Sequence, residues 1–165
     1  MFRSLLLSFI LIVPTMVQAA SYDDWKDKID FFSEEENAKF VNDYKNKGWI
    51  GVSKAASDGT EFYHNFNRMK PKPDGFIESW EKSIKTKKTS KTDIGDFDMM
   101  LISFDCFNNK TALIKRISYK KNGSVIDSRS QTSLSYSEAV PESIGEANFN
   151  FVCAVRNAVI RALPL

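Results

Sequence analysis

Three kinds of side chain in this sequence could do chemistry: two cysteines, one histidine and a run of lysines. Cys106 and Cys153 are the only cysteines, and His64 is the only histidine. A zinc site made from both cysteines would need two further ligands, and a single histidine cannot supply both. The cysteines therefore form either a disulfide bond or two free thiols.

His64 is the only residue that could act as an imidazole base. Catalysis with it would need a serine or cysteine nucleophile and an orienting acid nearby. The sequence has no nucleophile-elbow, metal-ligand or phosphate-loop pattern, so it indicates no cofactor. A hydrolase would rest on this histidine and scattered serines alone, and we expect His64 to be a surface residue at the end of a strand.

The lysines are concentrated in "EKSIKTKKTSKTD", which has no acidic residue between Glu81 and Asp93. The segment lacks an apolar period, which predicts a loop between two strands. It is either a docking surface for an anionic partner or a solvated loop that keeps a sheet edge soluble. Arg68, Lys70 and Lys72 would extend the surface if the two loops meet. The candidate partner-binding residues are Lys82, Lys85, Lys87, Lys88 and Lys91.

The first residues have the layout of a secretory signal peptide. Arg3 precedes an apolar stretch from Leu5 to Val17, and Ala19 and Ala20 follow it. The stretch is shorter than the roughly 20 residues that a membrane span needs. We therefore predict a signal peptide over 1–19, export to the periplasm or cell surface, and no membrane span after cleavage.

Export has consequences for chemistry and partners. An oxidising compartment favours a disulfide over free thiols. No cysteine follows the predicted cleavage site, so a lipid anchor is not expected. Loss of Arg3 takes the formal net charge from +2 to +1, which is too near neutral to indicate a nucleic-acid partner.

Residues 20–47 are predicted to form a helical N-terminal extension. Trp25 and Ile29 have helical spacing in a first helix. Ser33 followed by Glu36 is a capping box, which predicts a second helix that begins near Glu34 and ends before Gly48.

From Trp49 the pattern is typical of strands joined by turns. A Ser-Asp-Gly turn at 57–59 and the Asn122-Gly123 turn predict two hairpins, and the segments around Trp80 and 97–106 predict two more strands. After Pro141 the apolar spacing is that of an amphipathic helix. The predicted fold class is α+β: a six-stranded antiparallel meander with a C-terminal helix on one face. A bond between Cys106 and Cys153 would fasten this helix to the sheet.

The strand at 97–104 is apolar on both faces, which predicts that each face of the sheet is covered. The helix covers one face. For the other we expect the N-terminal helices, through Trp25, Phe31, Phe32, Phe40 and Tyr44, with a homodimer interface as the alternative.

An ordered set of residues resembles the surface-adhesin protein E family of bacterial exported proteins. The resemblance covers roughly 48–155 and implies a six-stranded sheet, a C-terminal helix and a disulfide between Cys106 and Cys153. For the members that gave the family its name it also implies adhesion to host matrix and serum glycoproteins, and dimerisation. The extension before Gly48 lies outside the family pattern. The residues that carry the resemblance are Trp49, Tyr63, Trp80, Cys106, Tyr119, Asn122, Gly123, Pro141, Ser143 and Cys153.

The sequence thus predicts a signal peptide over 1–19, the extension over 20–47 and one domain over 48–165. The predicted function is non-enzymatic binding of a host matrix or serum protein through the basic loop. The alternative is a periplasmic structural or assembly protein that binds an envelope partner through an apolar surface.

Overall fold

The computed structural model describes residues 32–72 and 74–162. The predicted signal peptide and the predicted first helix of the extension lie outside these residues. The elements in chain order are α1 (Glu34–Lys47), β1 (Trp49–Lys54), β2 (Glu61–Asn65), a 3-10 helix (Phe66–Arg68), β3 (Lys70–Pro71), β4 (Phe76–Ile84), β5 (Phe97–Asp105), β6 (Lys110–Tyr119), β7 (Val125–Ser130), β8 (Ser137–Glu138) and α2 (Ile144–Ala162).

The strands form one antiparallel sheet in the order β1-β2-β4-β5-β6-β7. This confirms the predicted six-stranded meander and the α+β class. Two short strands were not predicted, β3 beside β4 and β8 beside β6. Each has only two residues, which is too short for an alternating pattern to be visible in the sequence.

The boundaries of α1 agree with the prediction. Ser33 Oγ accepts a hydrogen bond from the Glu36 N–H, and the Glu36 side chain accepts one from the Ser33 N–H. This capping box satisfies donors that the first turn of a helix leaves without a partner. Gly48 follows the helix with a φ of 70°, a value that glycine adopts without steric cost.

The C-terminal helix α2 packs on one face of the sheet and forms the core with it. Phe151, Val152 and Val155 are fully buried in the helix, opposite Ile77 of β4 and Phe104 of β5. Alternate residues of β4 are buried along this face, as a strand with one covered face requires.

Cys106 and Cys153 form a disulfide, with their Cα atoms 5.6 Å apart. The bond joins the end of β5 to the middle of α2 and confirms the predicted attachment of the helix to the sheet. Neither cysteine is a free thiol.

The position predicted for the second helix of the N-terminal extension was wrong, and the predicted first helix, with Trp25 and Phe31, lies outside the described residues. Helix α1 packs beside α2 and the 3-10 helix, where Phe40 and Val41 contact Ala154 and Ala158. The Asn37 Nδ2 donates a hydrogen bond to the Ala158 carbonyl at 3.0 Å. Helix α1 therefore packs on the side of the sheet that α2 already covers, because the small Ala154 and Ala158 of α2 allow a second helix to approach.

The opposite side of the sheet, which we call the outer face, is covered by described residues at one end only. There Tyr136 packs against Phe76, and its hydroxyl lies 2.9 Å from the Ser103 Oγ. No described helix packs on the part around Trp80. Strand pairing aligns aromatic and aliphatic side chains across this face, among them Tyr63, Trp80, Phe97, Leu101, Ile117 and Tyr119.

The prediction that the strand at 97–104 is buried on both sides was wrong for most of its apolar residues. Met99 and Leu101 on the outer face are half-buried, and so are Met100 and Ile102 on the face toward α2, whereas Phe104 is buried.

Candidate functional site

Three loops meet at one end of the sheet and form what we call the basic end: residues 55–60, 85–96 and 120–124. The 85–96 loop is closed by hydrogen bonds from the Lys85 N–H to the Asp96 carbonyl at 2.9 Å and from the Gly95 N–H to the Lys85 carbonyl at 2.8 Å. The Thr86 hydroxyl donates to the Gly59 carbonyl at 2.6 Å, which ties this loop to the first one. The loop is therefore anchored at its base.

Lys87, Lys88 and Lys91 are exposed at the basic end. Lys88 pairs with Asp93 at 3.2 Å, and both side chains are largely exposed, so the pair is weak. Neither Lys87 nor Lys91 forms an ion pair with a described residue. Much of the positive charge of this loop is therefore available to a partner.

The turn between β6 and β7 adds a lysine that sequence reasoning missed. Asp96 accepts hydrogen bonds from the Lys121 N–H at 3.1 Å and from the Lys120 Nζ at 3.3 Å. These bonds hold the turn against the 85–96 loop and leave Lys121 exposed beside it. The signal available was the Lys-Lys pair just before Asn122-Gly123, but only the pairing of β5 with β6 brings the two hairpin ends together.

Two of the five predicted lysines lie differently from the other three. Lys82 is within β4, on the outer face, and its Nζ lies over the Phe97 ring at 4.5 Å from the centroid. Lys85 is half-buried at the base of the loop. Only Lys87, Lys88 and Lys91 belong to the exposed part of the loop.

The loop with Lys70 and Lys72 does not extend the basic end. In the register of the sheet, Lys70 of β3 is opposite Glu78, near the start of β4. The basic loop follows Ile84, at the end of β4. A nine-residue strand separates the two loops. Lys72 instead forms an ion pair with Glu78.

The outer face carries a positive charge that its own acids do not balance. Two of its acidic residues form ion pairs, Glu61 with Lys54 at 3.1 Å and Glu78 with Lys72. At the end of the face near Phe76, Asp105 is buried and accepts hydrogen bonds from Phe107 and Asn108, and Glu138 lies opposite Lys110. Lys82 and Lys115 also lie on this face, because in the register of the sheet Lys82 is directly opposite Tyr63 and Lys115 is directly opposite Leu101. Neither lysine forms an ion pair within the described part of the chain.

A polar network lies under α2, and the prediction of a surface histidine was wrong. His64 is fully buried. Its Nδ1 lies 3.0 Å from the Ser79 Oγ, and its Nε2 lies 3.5 Å from the Glu81 Oε2. The Asn148 Nδ2 donates to the same Glu81 oxygen at 2.8 Å, and the Ser53 hydroxyl donates to the Asn148 Oδ1 at 2.9 Å.

Burial shifts both titratable groups of this network toward their uncharged forms. It lowers the pKa of His64 to about 3. It raises the pKa of Glu81 to about 7, although the hydrogen bond from Asn148 acts in the opposite direction. His64 is therefore uncharged near neutral pH, so its contact with Glu81 is not an ion pair.

Ser79, His64 and Glu81 are the three residue types of a hydrolytic triad, but here they are closed off from solvent. Ser79 and His64 have no exposed surface, and Glu81 is 4% exposed. Phe104 and Phe151 flank the imidazole. No substrate reaches the serine while α2 is in place. The signal for the network was the presence of polar residues at alternate positions of β4, Ser79, Glu81 and Ser83, which are the positions buried toward α2.

Two other kinds of feature are absent from the described residues, a metal site and a membrane-spanning helix. Within residues 32–72 and 74–162, no group of three or more histidine, cysteine, aspartate or glutamate side chains could hold a metal ion. No described helix has the length and apolar character needed to cross a membrane.

Comparison with known proteins gives one result. A family model described as "Surface-adhesin protein E" matches residues 49–154. The matched segment begins at β1, ends within α2 and includes both cysteines of the disulfide. No curated protein and no solved structure matches the chain.

Proposed function

Because the chain belongs to the surface-adhesin protein E family, we propose that it is an exported, non-enzymatic bacterial adhesin that attaches to host matrix or serum proteins through its basic end. The observation that carries this proposal is the group of exposed lysines at the basic end, to which two hairpins contribute. Lysines in this arrangement attract an anionic surface and accelerate encounter with it.

The triple substitution K87Q/K88Q/K91Q should weaken binding to matrix and serum glycoproteins by about tenfold, because three exposed charges each contribute roughly 0.5 kcal/mol. Binding is measured by surface plasmon resonance on a panel of immobilised glycoproteins in 50 and 300 mM NaCl. We expect the wild type to bind more weakly at the higher salt concentration, since salt screens exposed charges.

The matched control is K39Q/K45Q/K47Q, which removes three exposed lysines from α1. It makes the same change of net charge on α1, away from the basic end. Binding should therefore stay within twofold of the wild type. Equal losses in both variants would mean that net charge alone matters, and would contradict the assignment of the basic end.

A second candidate function is that of a periplasmic structural or assembly protein that binds an envelope partner. The observation that favours it is the part of the outer face around Trp80, where half-buried aromatic and aliphatic side chains lie side by side and no described helix covers them. Large apolar surfaces of this kind usually mark interaction sites.

The variant W80A should lower association with the cell envelope by about tenfold, because the Trp80 ring lies in the middle of the outer face and a buried aromatic ring contributes strongly to an interface. Association is measured by co-sedimentation of the protein with isolated envelopes. A large part of it should persist in 1 M NaCl, which screens charges but does not weaken apolar contacts. Complete release by salt would exclude this second function.

A further inference from the structure

We propose that the outer face of the sheet binds an anionic lipid surface, with Trp80 and Tyr63 among the lipid headgroups and Lys82 and Lys115 on lipid phosphates. The proposal rests on the second proposed function, that the outer face is a docking surface. It names the chemistry of the partner.

The composition of the outer face is that of a surface which meets the boundary between lipid and water. Tryptophan and tyrosine concentrate at this boundary, because each combines an apolar ring with a polar group. Trp80 and Tyr63 lie on neighbouring strands, and Tyr119 stacks on Phe97 two strands away, with 4.8 Å between the ring centroids. Their side chains are half-buried, and the Tyr63 hydroxyl donates a hydrogen bond to the Glu61 carboxylate at 2.8 Å.

Two lysines of this face, Lys82 and Lys115, lie beside the aromatic and aliphatic side chains, where their amines could contact lipid phosphates. The Lys82 Nζ lies over the Phe97 ring, a cation–π contact that holds the amine at the surface of the apolar patch without neutralising its charge. Lys115 lies opposite Leu101. Glu61 and Glu78 are paired with lysines, and Asp105 and Glu138 lie at the other end of the face, where Lys110 is their neighbour. The charge around Trp80 is therefore positive and complements an anionic partner.

The charges of Lys82 and Lys115 also argue against two other partners for an apolar face, an envelope protein and a second copy of this chain. Unpaired lysines are depleted from the cores of protein–protein interfaces, because their amines would lose water without gaining a partner. In a symmetric pair of chains, Lys82 and Lys115 would also face a surface of the same sign. A lipid surface avoids both costs, because its phosphates supply negative charge wherever an amine lies.

The basic end continues the outer face without a gap. Ile84 and Phe97 pair directly at the mouth of the 85–96 loop, and Lys87 and Lys91 follow within that loop. A lipid surface in contact with the outer face therefore also attracts these lysines. Basic residues near an anionic membrane strengthen binding additively over about a Debye length.

The test is binding of the protein to vesicles of phosphatidylcholine with 25% phosphatidylglycerol, compared with pure phosphatidylcholine. The protein carries W25F, so that Trp49 and Trp80, both on the outer face, are the only tryptophans. We expect at least tenfold tighter binding to the anionic vesicles, and quenching of tryptophan fluorescence when brominated phosphatidylcholine is included. K82Q/K115Q should bind about 30-fold more weakly, and W80A about tenfold more weakly.

K39Q/K45Q on α1 is the matched control for charge and should bind as tightly as the parent. Circular dichroism of each variant confirms that it is folded, and K82Q/K115Q keeps the test decisive should W80A unfold. Binding that K87Q/K91Q abolishes without any tryptophan quenching would overturn the proposal, because it would reflect adsorption through the basic end. Absence of vesicle binding would also overturn it. In that case loss of envelope association in W80A would still support the second function, with a protein or a second copy as partner.

Discussion

Replacing both cysteines with alanine (C106A/C153A) should lower the free energy of unfolding by about 4 kcal/mol. The disulfide closes a loop with a sequence separation of 47, and the entropy of closing such a loop in the unfolded chain gives this magnitude. It is a large fraction of the roughly 5–15 kcal/mol that stabilises a typical domain. The effect should appear as a lower urea midpoint and a melting temperature lowered by roughly 10–15 °C.

The variant should nevertheless fold, because the helix keeps its apolar contacts. Phe151, Val152 and Val155 are buried beside Cys153, and burial of each contributes roughly 1.5–3 kcal/mol. The control is dithiothreitol, which should destabilise the wild type and leave C106A/C153A unchanged. A loss of less than 1 kcal/mol in the variant would mean that packing alone holds α2 on the sheet.

The substitution E81Q should remove a pH-dependent loss of stability that amounts to roughly 3 kcal/mol in the wild type. Glu81 has a pKa of about 7 in the folded protein, against 4.5 for an ordinary glutamate. Its contribution to folding is therefore fully present below pH 4.5 and is lost as the pH rises through 7. The magnitude follows from the interval between 4.5 and 7 at about 1.4 kcal/mol for each pH unit.

The other buried titratable group acts with the opposite sign. The pKa of His64 is lowered from 6.5 to about 3, so its contribution is present above pH 6.5 and is lost as the pH falls through 3. The wild type and E81Q both contain His64, so the difference between their stabilities reports the titration of Glu81 alone. We expect similar stabilities at pH 4.5 and a variant that is more stable than the wild type by roughly 3 kcal/mol at pH 8.

Urea unfolding at pH 4.5, 6, 7 and 8 measures this difference. Glutamine matches glutamate in size, and its carbonyl can still accept the hydrogen bond from Asn148. E35Q, at an exposed position of α1, is the matched control and should retain the pH dependence of the wild type. If E81Q kept that dependence too, the titration would belong to another group.

The order of the elements followed from local sequence patterns. Ser33 and Glu36 predicted the beginning of α1, and the Asn122-Gly123 turn predicted the hairpin of β6 and β7, as the structure has them. Capping and turn formation depend on residues close together in the chain. For the same reason, strands joined by short turns could be assigned to an antiparallel meander before any contact between them was known.

The candidate site could be predicted only in part. The lysines of the 85–96 loop were visible as a charge run, but Lys121 was not, because it reaches the loop through strand pairing. Lys82 belongs to the run in sequence and to the outer face in space, since residue 82 still lies within β4. A run of charges in the sequence does not show which face of a strand each side chain is on, because neighbouring side chains of a strand point to opposite faces.

By itself the sequence determined the class of the fold, the boundaries of α1 and the pair of cysteines that could join sheet and helix. Only the tertiary structure decided which side of the sheet α1 covers and that His64 lies beside Ser79 and Glu81. The physical reason is the range of the interactions. Helix caps and turns are local, whereas the burial of His64 depends on Asn148 and Phe151, more than eighty positions along the chain. Because α1 docks beside α2, it does not cover the part of the outer face around Trp80.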